Sequence, residues 1–291
     1  MKKLLVGFIG QGFVGKNMAD NFEKRGYSVI RYSLEPKFIK NKNLIKNCDV
    51  VFMALPTPTT PKGFDNSLLK KAIKLVGKGK IAIIKSTILP GTTAKLQKEN
   101  PKLYVMHSPE FLTEANAVFE TANPERNIIG IPKNNSVFKQ KAELVMSLLP
   151  KSSYLLVCSS FEAELIKYAG NSFFYLKIVF MNILYDYSEK IGANWDKISE
   201  AVSKDSRIGK SHMKPYHKTS GKIGRGAGGH CFMKDFEAFI EGYSKSNKKD
   251  ILGINFLKST RNKNLDLLLS SKKDLDLLSG VYGNKILKKK K

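Results

Sequence analysis

The stretch GFIGQGFVG, residues 7–15, decides the fold. It ends an apolar run of strand length, KLLVGFIG (3–10), and opens a segment of helical period, 14–25. Between the two, Gly10, Gly12 and Gly15 stand in Gly-x-Gly-x-x-Gly spacing. In a strand–turn–helix unit the first glycine makes the tight turn. The second lets a pyrophosphate approach the backbone, and the third lets the helix pack closely. The helix N-terminus adds unpaired N–H groups that suit phosphate. Glycines are common in turns, so the spacing alone is weak. Its place between a strand and a helix makes a dinucleotide site the stronger reading, with Gln11, Phe13 and Val14 as further contacts.

The next strand, YSVIRY (27–32), carries Ser33 at its end, where an acid usually binds the ribose hydroxyls. Glu35, 20 residues beyond Gly15, is the substitute acid. It favours NAD, while Arg31 keeps NADP open. Further strand-like runs follow at 49–55, 80–86, 102–108, 127–131 and 153–158, with helical patterns at 66–78, 91–99 and 134–147 between them. Alternation of this kind predicts a mostly parallel sheet covered on both faces. After Cys158 the strand character stops. Helical patterns at 160–191, 194–203, 231–246 and 250–269 surround a loop over 205–230. The expected class is α/β, a Rossmann-type mostly parallel sheet domain (1–157) followed by an α-helical central domain (158–283) and a Lys-rich tail (284–291).

Composition narrows the partners. The 291 residues carry a formal charge of +25, with 50 basic residues of which only six are Arg. Bidentate readers of bases and phosphates lean on Arg, so scattered lysines argue against nucleic acid and for solvated faces. No apolar run approaches the ~20 residues of a membrane helix. The opening MKKLLVGFIG mimics a signal peptide, yet it runs into the glycine turn without a cleavage site and reads as a strand. Three widely spaced cysteines (48, 158, 231) suit a reducing cytoplasm. The four histidines show no metal-ligand spacing, and no metal is assigned.

RGAGGHCFMKDFEAF (225–239) carries the chemistry. Phe232, Phe236 and Phe239 recur at helical spacing, so a helix is expected to start near Cys231, with Asp235 one turn on along the same side. A thiol in a first helical turn meets the positive end of the dipole, which lowers its pKa. A buried structural cysteine after an ordinary loop is the other reading, and for a lone cysteine the commoner one.

Six ordered segments settle the weighing: GFIGQGFVG, ALPTPTTP (54–61), KSTILPGTT (85–93), SPEFLTEA (108–115), EAELIKYAGNSF (162–173) and GAGGHCFMKDF (226–236). Together they resemble the UDP-glucose/GDP-mannose dehydrogenase family over roughly residues 4–265. The resemblance implies oxidation of the C6 alcohol of a nucleotide sugar, UDP-glucose before others, to the uronic acid with two NAD. It makes Cys231 the nucleophile of a thiohemiacetal and thioester, and Asp235 a base or water activator. It places Lys167 and Asn171, four apart on one helix, at the developing oxyanion. Thr87 and Glu110 become the groups that position and activate water. Glu114 and Lys234 lie by the cofactor, and Thr57, Thr59 and Ser86 line its loops. Phe111, Leu112, Gly226 and Gly228 contact the sugar nucleotide, and Arg207 reaches the substrate of a neighbouring subunit. The helix at 160–191 is apolar over much of its circumference and is expected to build a homodimer. Relatives carry a third, C-terminal α/β domain, and this sequence is expected to lack it.

Other readings stay open: a relative that keeps NAD binding without turnover, a dehydrogenase of UDP-N-acetylmannosamine or GDP-mannose, or a β-hydroxyacid dehydrogenase. The last has the same layout without needing a cysteine.

Overall fold

The computed structural model describes residues 4–219 and 222–288. The opening Met-Lys-Lys and the last three lysines of the tail lie outside the described residues. The chain divides into two compact units, Met1–Thr57 with Asp65–Lys167, and Pro58–Phe64 with Tyr168–Lys291.

In the first unit β1 (Leu5–Ile9) leads through the glycine turn into α1 (Phe13–Lys24) and β2 (Ser28–Tyr32). After a 3₁₀ segment at Ile39–Asn47 the chain returns to β3 (Val50–Met53). β4 (Thr59–Thr60) and β5 (Gly63–Phe64) form a hairpin that belongs to the second unit. Then come α2 (Ser67–Ala72), β6 (Ile81–Ile84), α3 (Thr92–Glu99), β7 (Tyr104–His107), α4 (Ala117–Ala122), β8 (Arg126–Ile131), α5 (Ser136–Leu148) and β9 (Tyr154–Ser159). The sheet order is β2-β1-β3-β6-β7-β8-β9, parallel except between β7 and β8. VVFM and IAII are buried at every position. Strands covered by helices on both faces read as unbroken apolar runs for this reason. Phe8 stacks on Phe52 at 5.3 Å and meets Phe22 of α1 edge-on at 5.3 Å, fastening the first helix to the sheet.

The unit boundary departs from the sequence expectation. α6 (Ser160–Lys190) is one helix, but the division falls after Lys167 rather than after residue 157. The first turns of α6 are fixed to the sheet unit. The Glu164 carboxylate accepts from Gly91 N at 2.6 Å and Thr93 N at 2.7 Å, and a Cβ on Gly130 would come within 2.5 Å of Ala163.

The second unit holds the rest of α6, α7 (Trp195–Ser203), α8 (Gly229–Ser246), α9 (Ile251–Ser270) and α10 (Leu275–Tyr282). Strand character does not end at Cys158. β10 (Tyr216–Thr219) and β11 (Lys222–Arg225) pair antiparallel inside the stretch expected as a loop. Isolated two-stranded ribbons of Lys, His and Gly lack the alternation that betrays a half-buried strand. The core centres on Tyr175 of α6, stacked on Phe236 of α8 at 3.9 Å, with Ile178, Val179, Ile240 and Leu257 around them.

Candidate active site

Three glycines of the first turn meet different fates. A Cβ on Gly10 (φ +93°) would lie 2.1 Å from the carbonyl of Ala54, and one on Gly15 would lie 2.0 Å from the carbonyl of Gly10. These two are glycine so that backbone can pack on backbone. A Cβ on Gly12 would meet nothing within 4 Å. Open space over the N-cap of α1 is what a pyrophosphate requires, so the turn fits a dinucleotide. β2 and β3 flank β1 on opposite sides, which puts this turn at the topological switch point of the sheet. The Gln11 amide donates to Gly10 O, Phe13 and Val14 open the helix, and Glu35 is exposed beyond β2. Arg31 is engaged within the unit. Its guanidinium grips Glu23 at 2.9 and 2.6 Å and Asp20 at 2.7 Å.

The hydroxyls expected along the cofactor loops are spent on backbone. Ser86 Oγ accepts from Leu55 N and donates to Leu55 O, and Thr57 donates to the carbonyl of Thr87. Both tie the end of β3 to the end of β6. Thr59 sits in the second unit and donates to the carbonyl of Lys234 at 2.8 Å. These three hydroxyls therefore fix the shape of the loops.

In the first unit a carboxylate centre forms after β7. Glu110 accepts from Phe111 N at 2.8 Å and Leu112 N at 3.3 Å, so those residues serve it through their backbone. Its other oxygen lies 3.1 Å from the ammonium of Lys85, which is buried and also donates to Ser108 Oγ and Pro109 O. Lys85 was not singled out from the sequence. Its signal is a lysine directly after the wholly buried IAII, a place where a cation is costly unless paired. The buried His107 imidazole is pushed down to about 3 by burial and by the charges of Lys85 and Lys167. Lys167 stands 5.6 Å over the Phe111 ring and Arg126 stands 3.8 Å over it. Thr87 is half-buried and Glu114 is exposed.

In the second unit the helix starts at Gly229, so Cys231 is its third residue and lies in the first turn. The thiol is exposed. Cys48 and Cys158 differ, since burial pushes each of those thiols up to about 11. One turn beyond Cys231, the buried carboxylate of Asp235 accepts from the Asn171 amide at 2.6 Å. The ammonium of Lys234 lies 2.5 Å from its other oxygen. One residue before Asp235 on the helix, Lys234 stands about 100° round from it, off the face that Cys231 and Asp235 share. The structure nonetheless makes it the counter-charge of Asp235, because a long flexible stem lets adjacent residues meet around the helix. Gly226 is buried at φ +86°, where a Cβ would lie 2.8 Å from Asn264 Oδ1, and Gly228 is the buried N-cap residue. Arg207 is exposed and closes on Asp205 two residues away. Among the described residues no His, Cys, Asp and Glu group could hold a metal, and no helix is long and apolar enough to cross a membrane.

Residues 34–148 match the sequence model of the UDP-glucose/GDP-mannose dehydrogenase family, NAD binding domain, and residues 161–265 match that family's central domain. The chain is similar to the UDP-glucose 6-dehydrogenase of Rickettsia prowazekii (strain Madrid E), 30% identical over 238 residues that cover 77% of this chain and 53% of the relative. It resembles the solved UDP-glucose dehydrogenase of Pyrobaculum islandicum with a TM-score of 0.75 at 25% identity, over 92% of this chain and 70% of that one. The UDP-D-ManNAc dehydrogenase structure from Pyrococcus horikoshii, with a TM-score of 0.74 at 23% identity over 91% and 69%, shares the fold. The chain spans about half the length of the curated relatives it matches.

Proposed function

The chain belongs to the UDP-glucose/GDP-mannose dehydrogenase family, and from that premise we propose that it oxidises the C6 alcohol of a UDP-sugar, UDP-glucose first, to the uronic acid. NAD, held on the turn from Gly10 to Gly15, supplies the hydride acceptor for both oxidations. Cys231 adds through sulfur to the C6 aldehyde, its proton passing to the carbonyl oxygen, and carries the carbon as thiohemiacetal and then thioester. Lys167 and Asn171 stabilise the alkoxide and the tetrahedral oxyanion. Asp235, held by Asn171 and Lys234, accepts protons at the nucleophile's helix. Glu110, with Thr87, activates the water that breaks the C–S bond and returns the thiolate.

One observation carries this reading. The exposed thiol is the one in a first helical turn, a turn away from a buried carboxylate with two named partners, while the other two thiols are suppressed by burial. A β-hydroxyacid dehydrogenase has no use for that arrangement. Three cysteines outside any disulfide suit work in the cytoplasm.

A homodimer is part of the reading. Phe173, Phe180 and Ile183 of α6 and Phe256 of α9 are exposed and line one apolar groove. So much apolar surface on one side of a helix fits a second copy of this chain.

The test is NADH release from a panel of UDP-, GDP- and N-acetylated UDP-sugars. Two NADH per sugar consumed are expected for the true substrate. Normal NAD binding with no NADH from any sugar would leave the non-catalytic reading in its place.

A further inference from the structure

The loop that delivers Cys231 is bonded at residue after residue to the end of α9 and the turn beyond it. Arg225 N donates to Ser271 Oγ at 2.9 Å. The carbonyl of Gly226 accepts from the Lys273 ammonium at 2.9 Å. Asn264, fully buried, accepts from Ala227 N at 2.6 Å and donates back to Ala227 O at 3.0 Å. Gly229 N, the first of the helix, donates to Asp274 Oδ2 at 2.8 Å. The cradle is tight, since a Cβ on Gly224 would come 2.7 Å from Lys273 Cβ. Its turn is unusual as well, with Lys272 at φ 54° and Asp274 at φ 50°, both left-handed without being glycine. Ser271, Lys273 and Asp274 lie beyond the stretch that matches the family's central domain.

Lys273 is the cationic member of this cradle, and it is completely buried. Its ammonium also lies 2.8 Å from His217 Nε2 of β10. Burial, and then the charge of Lys273, push the His217 imidazole down to about 4, so at neutral pH it is an acceptor for the ammonium. Burial pushes Lys273 itself down to about 8, against the field of Asp274. A buried lysine is therefore directed between one loop carbonyl and one neutral imidazole.

We propose that Lys273 is a positioning residue for Cys231: by holding the carbonyl of left-handed Gly226, it fixes where α8 begins and so where the thiol stands. The proposal rests on Cys231 being the nucleophile, and its main readout needs no turnover. In Lys273→Met the apolar stem remains and the donor is lost. The rate at which iodoacetamide alkylates Cys231, followed by mass spectrometry, is expected to change severalfold, while Cys48 and Cys158 react as before. Turnover should fall at least about tenfold with KM for NAD unchanged, as a misplaced reacting group demands. In Lys273→Ala, added ethylammonium should restore part of the wild-type alkylation rate. His217→Leu removes the second partner of the ammonium and should shift alkylation in the same direction, which keeps the test available if Lys273→Met does not fold.

A folded Lys273→Met with wild-type alkylation and turnover overturns the proposal. So does a lower melting temperature with Cys231 reactivity intact, which would make Lys273 a purely structural residue. If the wild-type chain oxidises no sugar, the dehydrogenase reading fails, and the alkylation rates still decide the role of Lys273.

Discussion

The side-chain amide of Asn171 donates a 2.6 Å hydrogen bond to Oδ2 of Asp235, and both side chains are buried. A buried carboxylate that loses a donor keeps its desolvation cost without the compensation. Asn171→Ala should therefore lose about 1–3 kcal/mol of stability in urea unfolding. Turnover should fall further than this loss of folded protein accounts for. Equal stability in the two proteins would remove Asn171 from the support of Asp235.

Cys231→Ser should abolish sugar-acid formation and leave NAD binding unchanged. A serine hydroxyl ionises far less readily than a thiol and does not supply the same nucleophile. Calorimetry with NAD and chromatography of the products check the two halves separately. Sugar acid formed at the wild-type rate would exclude a covalent route through this residue.

Lys85→Met should destabilise the first unit by about 3 kcal/mol, because removing one partner strands the other partner's charge in a largely buried place. The Lys85 and Glu110 side chains are 6% and 19% exposed, so solvent screens the pair little. Urea titration gives the change. A loss below about 0.5 kcal/mol, the scale of an ordinary exposed pair, would mean that Lys85 does not hold Glu110.

Two buried bases with lowered pKa make stability rise with pH in two separate windows. His107 titrates at about 3 in the fold, below its ordinary 6.5, so the unfolded chain binds more protons between these values. Its contribution is complete above pH 6.5 and is lost as pH falls through about 3. Lys273 titrates at about 8 instead of 10.5, so its contribution is present above 10.5 and is lost as pH falls through about 8. The difference in unfolding free energy between wild type and His107→Leu should move steadily against wild type as pH falls from 6.5 to 4. Between wild type and Lys273→Met the difference should move in favour of wild type from pH 8 to 10. Parallel curves in either comparison would show that the base is not titrating as its burial implies.

Phe180→Glu places a charge in the apolar groove of α6 and α9, and should convert a dimer into a monomer in light scattering at micromolar concentration. Wild-type protein that is already monomeric would leave that groove without its proposed occupant.

The parts legible in the sequence are those written in local patterns. Unbroken apolar runs such as VVFM and IAII, alternating with helical periods, carried the parallel sheet, and the spacing of Gly10, Gly12 and Gly15 carried the dinucleotide turn. The run of phenylalanines at 232, 236 and 239 put Cys231 in a first helical turn and Asp235 one turn later, because helix geometry alone relates positions four apart. What the tertiary structure decided was which polar side chains are already engaged. Arg31 is closed on Asp20 and Glu23, Ser86 and Thr57 tie strand ends, and Lys234 faces Asp235. Lys85 reaches Glu110 across 25 residues of chain, and Asn264, Ser271, Lys273 and Asp274 hold a loop some 40 residues away. Helical and strand periods encode only neighbours along the chain. The partner of a buried charge is set by how distant segments pack, and that information exists only once the chain has folded.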